Sequence, residues 1–167
     1  MCTPEIIVAM DQNGLIGVSG SDMPWGRKLR TDLQMFKERT TGHSILMGRK
    51  TFTDDIKRPL PNRHNMVITR NKDLRIEGVT IVNDLFNAQL RVPKDMNCYI
   101  IGGAELYAQA LPYVNDMYIT RVQATFEGDV FFPKFKEDEW QIVHQTSYDQ
   151  GERDAYPFTI EHWKRLL

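Results

Sequence analysis

The sequence predicts an α/β sandwich, with a central, mostly parallel eight-stranded sheet that turns antiparallel at its C-terminal edge and is flanked by about four helices. Three observations predict it. Short apolar runs of strand length recur along the chain and are continuous rather than alternating, the pattern of strands covered on both faces. Helix-like stretches separate several of the earlier runs, as the crossovers of a parallel sheet require. After Pro112 the runs follow one another with no helix between them, which calls for antiparallel pairing.

In chain order, Ile6-Ile7-Val8-Ala9-Met10 opens as a strand, and a glycine-rich stretch from Gly14 to Gly26 follows. A helix is predicted over 29–41. At helical spacing Leu29, Leu33, Phe36 and Thr40 form a narrow stripe, while Arg30, Gln34, Lys37 and Glu38 fall opposite. Strands at 44–48, 66–69 and 79–82 come next, with a short helix at 50–56 after the first of them. A helix at 84–91 begins where Asn83-Asp84 offers a cap. The strand at 98–101 runs through Gly102-Gly103 into a helix at 103–111, and strands at 117–122, 140–144 and 156–160 close the sheet.

The 167 residues, with 41% hydrophobic and 26% charged content, suit one domain spanning 1–167. No repeat or low-complexity linker divides them. Lys and Arg number 21 against 22 Asp and Glu, so there is no basic field to hold a polyanion, and nucleic acid is not the expected partner. No run approaches the roughly 18 apolar residues of a membrane span, and no leader pattern opens the chain, so a soluble cytoplasmic protein is expected. Cys2 and Cys98 form neither a disulfide framework nor a metal spacing, and no metal is expected.

Four features bear on chemistry. Asp32 lies at the edge of the apolar stripe, where it is either an acid turned inward or a helix-start residue satisfying backbone amides. Ile100-Ile101-Gly102-Gly103-Ala104-Glu105-Leu106-Tyr107 joins a buried strand to a helix through paired glycines, which suits a phosphate or simply a tight turn. Met47-Gly48-Arg49-Lys50-Thr51 makes a similar passage with two cations and a hydroxyl, and Thr69-Arg70 ends the next strand. Where an NAD site places an acid against the ribose, Arg49, Thr69 and Arg70 would suit a 2′-phosphate, hence NADPH; singly, each cation is an ordinary surface residue. The loop ending in Met23-Pro24-Trp25 looks exposed and reads as a lid, as a binding loop or as a mobile connector whose Trp25 plugs the core.

Taken together and in order, these segments resemble dihydrofolate reductase over nearly the whole chain. The landmarks are Ile16-Gly17, Met23-Pro24-Trp25, Asp32-Leu33-x-x-Phe36-Lys37-x-x-Thr40, Met47-Gly48-Arg49-Lys50-Thr51-Phe52, Arg58-Pro59-Leu60-Pro61-Asn62-Arg63, Ile101-Gly102-Gly103, Tyr107 and Glu127-Gly128-Asp129-x-x-Phe132-Pro133. The resemblance implies NADPH-dependent reduction of 7,8-dihydrofolate to tetrahydrofolate, by hydride transfer to pterin C6 with protonation at N5. It implies an antifolate target in one-carbon metabolism and a monomer whose partner is a small molecule. Asp32 would hold the 2-amino and N3 edge of the pterin, with Thr120 supporting it. Met23, Trp25 and Tyr107 join Asp32 as the catalytic set, Met23 as part of a gating loop and Trp25 by holding a water near the pterin.

By the same resemblance Ile7, Val8, Leu33, Phe36, Ile56, Leu60 and Ile101 line the substrate pocket. Arg63 grips the glutamate tail, with Arg58 along the same rim. The cofactor would meet Ala9, Ile16, Gly48, Arg49, Lys50, Thr51, Thr69, Arg70, Gly102, Gly103, Ala104, Glu105, Leu106, Tyr107 and Gln109. The stretch Gly26-Arg27-Lys28-Leu29-Arg30-Thr31 is longer than the common bacterial spacing, so the helix start is expected to be wound differently. A reductase of another pterin or aminopyrimidine heterocycle, and a non-catalytic nucleotide-binding module, are the alternatives. Arg63 discriminates against the first and the retained Asp32 against the second.

Overall fold

A computed structural model describes residues 2–20 and 23–167. The apolar runs become β1 (Glu5–Met10), β3 (Ser44–Gly48), β4 (His64–Ile68), β5 (Thr80–Val82), β6 (Cys98–Gly102) and β7 (Asp116–Val122). The long β9 (Trp140–Tyr148) and β10 (Phe158–Arg165) follow. Two very short strands, β2 (Leu15–Gly17) and β8 (Val130–Phe131), pair apart from the main sheet. Helices are α1 (Arg30–Thr40), α2 (Leu85–Arg91) and α3 (Ala104–Ala110), with a π-helical turn over Thr51–Ile56 where a short helix was expected. Asp84 caps α2 as its position suggested, its side chain accepting from the Asn87 amide at 2.7 Å.

The eight strands run in the order β5-β4-β3-β6-β1-β7-β10-β9. Pairing is parallel from β5 through β7, and β10 and β9 add antiparallel to β7. Burial explains the continuous runs: Ile6, Ile45, Met47, Met66, Val67, Ile100, Met117 and Ile119 are fully enclosed, and each contributes about 1.5–3 kcal/mol by leaving water. The helical stripe is also as expected, with Leu29 and Thr40 buried and Leu33 and Phe36 half-buried.

One consequence of this strand order positions the site. Strand β1 starts the chain at the middle of the sheet, and β6 later inserts between β3 and β1. Their pairing covers Glu5 with Tyr99 and Ile6 with Ile100, whereas β1 continues to Met10 and pairs with β7 all the way. The register of β6 against β3 also slips between Leu46 and Met47. The carboxyl ends of β1 and β6 therefore diverge, which opens the crevice that open α/β sheets use for ligands.

The glycine-rich loop is anchored at its root. Buried Asp11 accepts from the amides of Asn13 at 2.8 Å, Leu15 at 2.9 Å and Phe126 at 2.9 Å, tying the turn after β1 to the chain before β8. Gly128 has to be glycine there, because a Cβ would stand 2.8 Å from the Gly17 carbonyl oxygen.

Candidate functional site

The crevice is a cleft of about 1140 Å³ at the carboxyl ends of β1, β3, β4 and β6, roofed by α1 and by the loop through Ile16–Gly20 and Met23. Its walls take in every predicted site residue except Trp25 and Arg58. Trp25 is a correction to the exposed look of the Met-Pro-Trp segment. It is 2% exposed and packs with Leu29, Val122 and Phe158 beneath Met23 and Ala9, so Trp25 plugs the core while the loop before it stays on the cleft wall. Arg58 is exposed and lines a smaller polar recess with Asp54, Asp55 and Lys57, next to the main cleft. Lys37, expected on the far side of its helix, is exposed but reaches the cleft wall. Ser21 and Asp22, within the loop, lie outside the described residues.

Asp32 sits in the first turn of α1 and faces the apolar end of the cleft, among Leu33, Phe36, Ile7 and Val8. The hydroxyl of Thr120, on β7, donates to its Oδ1 at 2.6 Å. Burial pushes the Asp32 carboxyl up to about 6, and the nearby Asp154 carboxylate adds to the rise while the Thr120 bond opposes it. Of its two readings, the inward-turned acid is the one the fold adopts. The backbone amide of the neighbouring Thr31 is satisfied by Asp154 instead.

At the outer end of this region Arg63 is half-buried. Its Nε donates to the Pro61 carbonyl at 2.9 Å and one terminal nitrogen donates to the Thr40 hydroxyl at 3.1 Å. That leaves part of the guanidinium fork directed at the cleft. The loop carrying Leu60 and Arg63 is held by Asn65 on β4, 3% exposed. Its Oδ1 accepts from the Leu60 amide at 2.9 Å, and its Nδ2 donates to the carbonyls of Leu60 at 2.9 Å and Arg63 at 3.0 Å.

The other half of the cleft is cationic and glycine-lined. Gly102 adopts φ +135°, a region that side chains avoid, and a Cβ there would meet the Thr51 hydroxyl oxygen at 3.4 Å; at Gly103 the separation would be 3.2 Å. The two glycines thus keep open a cradle between Thr51 and the start of α3, which has no side-chain cap. Exposed Arg49, Lys50 and Arg70 surround it. Arg70 contacts Glu105 at 3.4 Å in a solvent-exposed pair that holds it only weakly. This donor set of hydroxyl, backbone amides and cations fits the phosphates of a dinucleotide.

Tyr107 spans the two halves. It is buried, its ionisation suppressed by burial, and its hydroxyl donates to the Ile7 carbonyl at 2.7 Å, pinning the diverging end of β1 to α3. On the loop, the Ser19 amide donates to Asp129 at 2.8 Å, and the Ser19 hydroxyl bonds the other oxygen; these bonds hold the Asp129 carboxyl below the ordinary carboxylate range.

Sequence reasoning missed part of the wall. Met35, Arg39, Tyr118 and Ile160 line the back of the cleft, where the Arg39 guanidinium lies 3.7 Å from the Tyr118 ring centre. Met35 and Arg39 follow Asp32 at three and seven residues, so the helix presents a second face that a single apolar stripe does not reveal. Asn65 and Asp154 were also missed, since neither belongs to a local motif.

Comparison with known proteins agrees with this arrangement. The family profile described as dihydrofolate reductase matches residues 4–165. A dihydrofolate reductase of Bacillus subtilis is 43% identical over 154 residues, spanning 92% of this chain and 89% of that one. One from Staphylococcus haemolyticus is 34% identical over 162 residues, 97% of this chain and 95% of its own. Among solved structures, a dihydrofolate reductase from Enterococcus faecalis complexed with NADP(H) and RAB-propyl superposes with a TM-score of 0.88 at 33% identity, covering 98% of this chain and 96% of that one. An acid-bearing apolar recess joined to a cationic glycine cradle, on a sheet of this order and over nearly the full length of these relatives, leads to one assignment: the chain belongs to the dihydrofolate reductase family.

Proposed function

We propose that the protein reduces 7,8-dihydrofolate to 5,6,7,8-tetrahydrofolate with NADPH, and that the observation carrying this is Asp32, one desolvated acid at the apolar end of a cleft whose other end is cationic. A buried carboxylate can hold the 2-amino and N3 edge of a pterin by paired, charge-assisted bonds, and Thr120 fixes the oxygen that makes them. Holding that edge polarises the ring toward protonation at N5. Leu33, Phe36, Ile7, Val8, Ile56, Leu60 and Ile101 give the ring and its aminobenzoyl extension apolar surfaces, and Arg63 meets the glutamate carboxylate where that extension reaches solvent.

NADPH, when bound, supplies the hydride that reduces C6. Arg49, Lys50, Thr51, Thr69 and Arg70, with the amides of Gly103 to Glu105, would hold its phosphates, and Ala9, Ile16, Gly48, Leu106 and Gln109 complete that wall. Met23 closes over the junction from the loop, with Trp25 supporting it from the core. Tyr107 acts by fixing the Ile7 carbonyl at the seam between the two halves. The chain's task is alignment and exclusion of water.

We further infer a single-domain monomer working in the cytoplasm. No helix among the described residues is long and apolar enough to cross a membrane. The test is the nicotinamide absorbance of NADPH mixed with purified protein. It should fall only when dihydrofolate is added, mole for mole, and unchanged absorbance would remove the reading.

A further inference from the structure

Residues 28–31, within the 26–31 segment that is longer than the common bacterial spacing, are joined to the tip of the β9–β10 hairpin. The Arg30 amide donates to the Arg153 carbonyl at 3.0 Å, the Ala155 amide donates to the Lys28 carbonyl at 2.9 Å, and Leu29 pairs with Asp154 as an isolated antiparallel bridge. The tip is closed on itself by the Gly151 amide, which donates to the Asp154 carbonyl at 2.9 Å, and by the Asp154 amide, which donates to the Gly151 carbonyl at 3.2 Å. Lys28 to Arg30 are thus docked on the hairpin tip by two backbone bonds and one isolated bridge.

Helix α1 has no cap of its own, because Leu29 occupies the capping position and no local side chain bonds the first amides. Asp154 fills that place from 123 residues away. Its Oδ1 accepts from the Thr31 amide at 2.9 Å and its Oδ2 accepts from the Thr31 hydroxyl at 2.6 Å. It is 7% exposed, and Thr31 is the residue immediately before Asp32.

We propose that Asp154 is a positioning residue for Asp32: from the hairpin tip it caps α1, and it thereby sets both the placement and the ionisation of the carboxylate that meets the pterin. This rests on the reading of Asp32 as the pterin's partner. Two carboxylates then share one helix N-terminus, one saturated by Thr31 and one facing the cleft. Like charges this near disfavour joint ionisation, and Asp154 acts on Asp32 in that sense, second to burial among the influences that raise it.

The other charged groups around the turn are exposed or paired: Arg27 and Lys28, just before it, are exposed, Arg27 on the cleft wall. On α1, Arg30 is exposed and Arg39 lies over Tyr118. On β1, Glu5 accepts from the Tyr118 hydroxyl. On β7 and β10, Arg121 pairs with Glu161, and Asp116 with His162 and Lys164. From the hairpin tip, Asp149, Glu152 and Arg153 are exposed.

The experiment titrates the Asp32 carboxyl by ¹³C NMR in ligand-free protein, for the native chain, Asp154→Asn and Asp154→Ala, with melting temperature and dihydrofolate kinetics measured beside it. Asparagine keeps an oxygen for the Thr31 amide but removes the charge. The expected result for Asp154→Asn is an Asp32 midpoint lower by several tenths of a pH unit with a nearly native melting temperature. For Asp154→Ala the midpoint falls as well, the protein melts lower, and the dihydrofolate KM rises several-fold, returning toward the native value in the asparagine variant. An unmoved Asp32 midpoint in Asp154→Asn, or a native KM in a folded Asp154→Ala, overturns the proposal. Should Asp154→Ala not fold, the asparagine midpoint decides alone. Absence of dihydrofolate turnover in the native chain would sink the proposed function instead, while the titration still answers for Asp154.

Discussion

Replacing Asp32 by asparagine should stabilise the protein at neutral pH while destroying its activity, and the stabilisation has a defined pH dependence. The folded carboxyl titrates near 6, against 3.8 for an unperturbed aspartate. Between these values the folded chain holds a proton that the unfolded chain has released, so unfolding becomes easier as pH rises through the window and stays easier above it. At about 1.36 kcal/mol per pH unit the difference accumulates to about 3 kcal/mol, all of it absent below about pH 3.5. Asparagine does not titrate, and its side-chain oxygen can still accept from the Thr120 hydroxyl, so the main change is loss of the buried charge. Equilibrium urea unfolding of both proteins across this range gives the quantity directly. The advantage of Asp32→Asn should grow by about 3 kcal/mol between about pH 3.5 and about pH 7.5, or roughly 6–12 °C in melting temperature for a domain this size. A gap that does not vary with pH would mean the carboxylate is solvated, and a gap that shrinks as pH rises would mean the site stabilises the anion; either result refutes the argument.

Arg63→Gln leaves the fold intact and raises the KM for dihydrofolate about 10- to 100-fold, the worth of a charge-assisted pair, while a pterin lacking the glutamate tail binds as before. Asn65→Ala strips partners from three backbone groups of the Leu60 and Arg63 loop; guanidinium melts should show a loss of about 2–4 kcal/mol together with a weaker dihydrofolate KM. Gly102→Ala places a Cβ on a φ of +135° beside Thr51 and should cost about 1–3 kcal/mol, with a higher KM for NADPH, read by calorimetry and steady-state kinetics. Arg70→Ala should weaken NADPH more than NADH in parallel assays, because it removes a cation suited to the 2′-phosphate that NADH lacks, while its surface contact with Glu105 contributes little to stability.

The parts of the fold that were legible in the sequence are those where burial imposes a local pattern. Ile45-Leu46-Met47 is apolar without alternation because both faces of the sheet are covered there, while Ile6-Ile7-Val8 and Ile100-Ile101 are apolar on both faces because Ile7 and Ile101 also line the cleft, and Pro112 marks where the connections lose their helices. Strand β9 extends to Tyr148, well past the expected 144, because Gln141 to Ser147 are solvent-exposed and carry no pattern to read. Strands β2 and β8 have three and two residues, too few to show a period. The Thr51–Ile56 segment was legible as a helix but not as a π-helical one, which depends on which carbonyl the backbone chooses. In the site, Asp32, Arg63 and the paired glycines announce themselves through residue type and order. Asn65 and Asp154 do not, since a buried amide beside its loop and a carboxylate capping a helix 123 residues away are facts of tertiary contact.

The proposed reaction turns on Asp32 holding the pterin and favouring its protonation. Its most direct test is the pre-steady-state rate of NADPH oxidation with dihydrofolate, measured across pH for the native chain and for Asp32→Asn. The expected result is a loss on the order of 10²–10⁴-fold in Asp32→Asn near neutral pH, the range of an acid–base contribution, with partial recovery at low pH as solution supplies protonated dihydrofolate. A native rate at neutral pH in Asp32→Asn would contradict it.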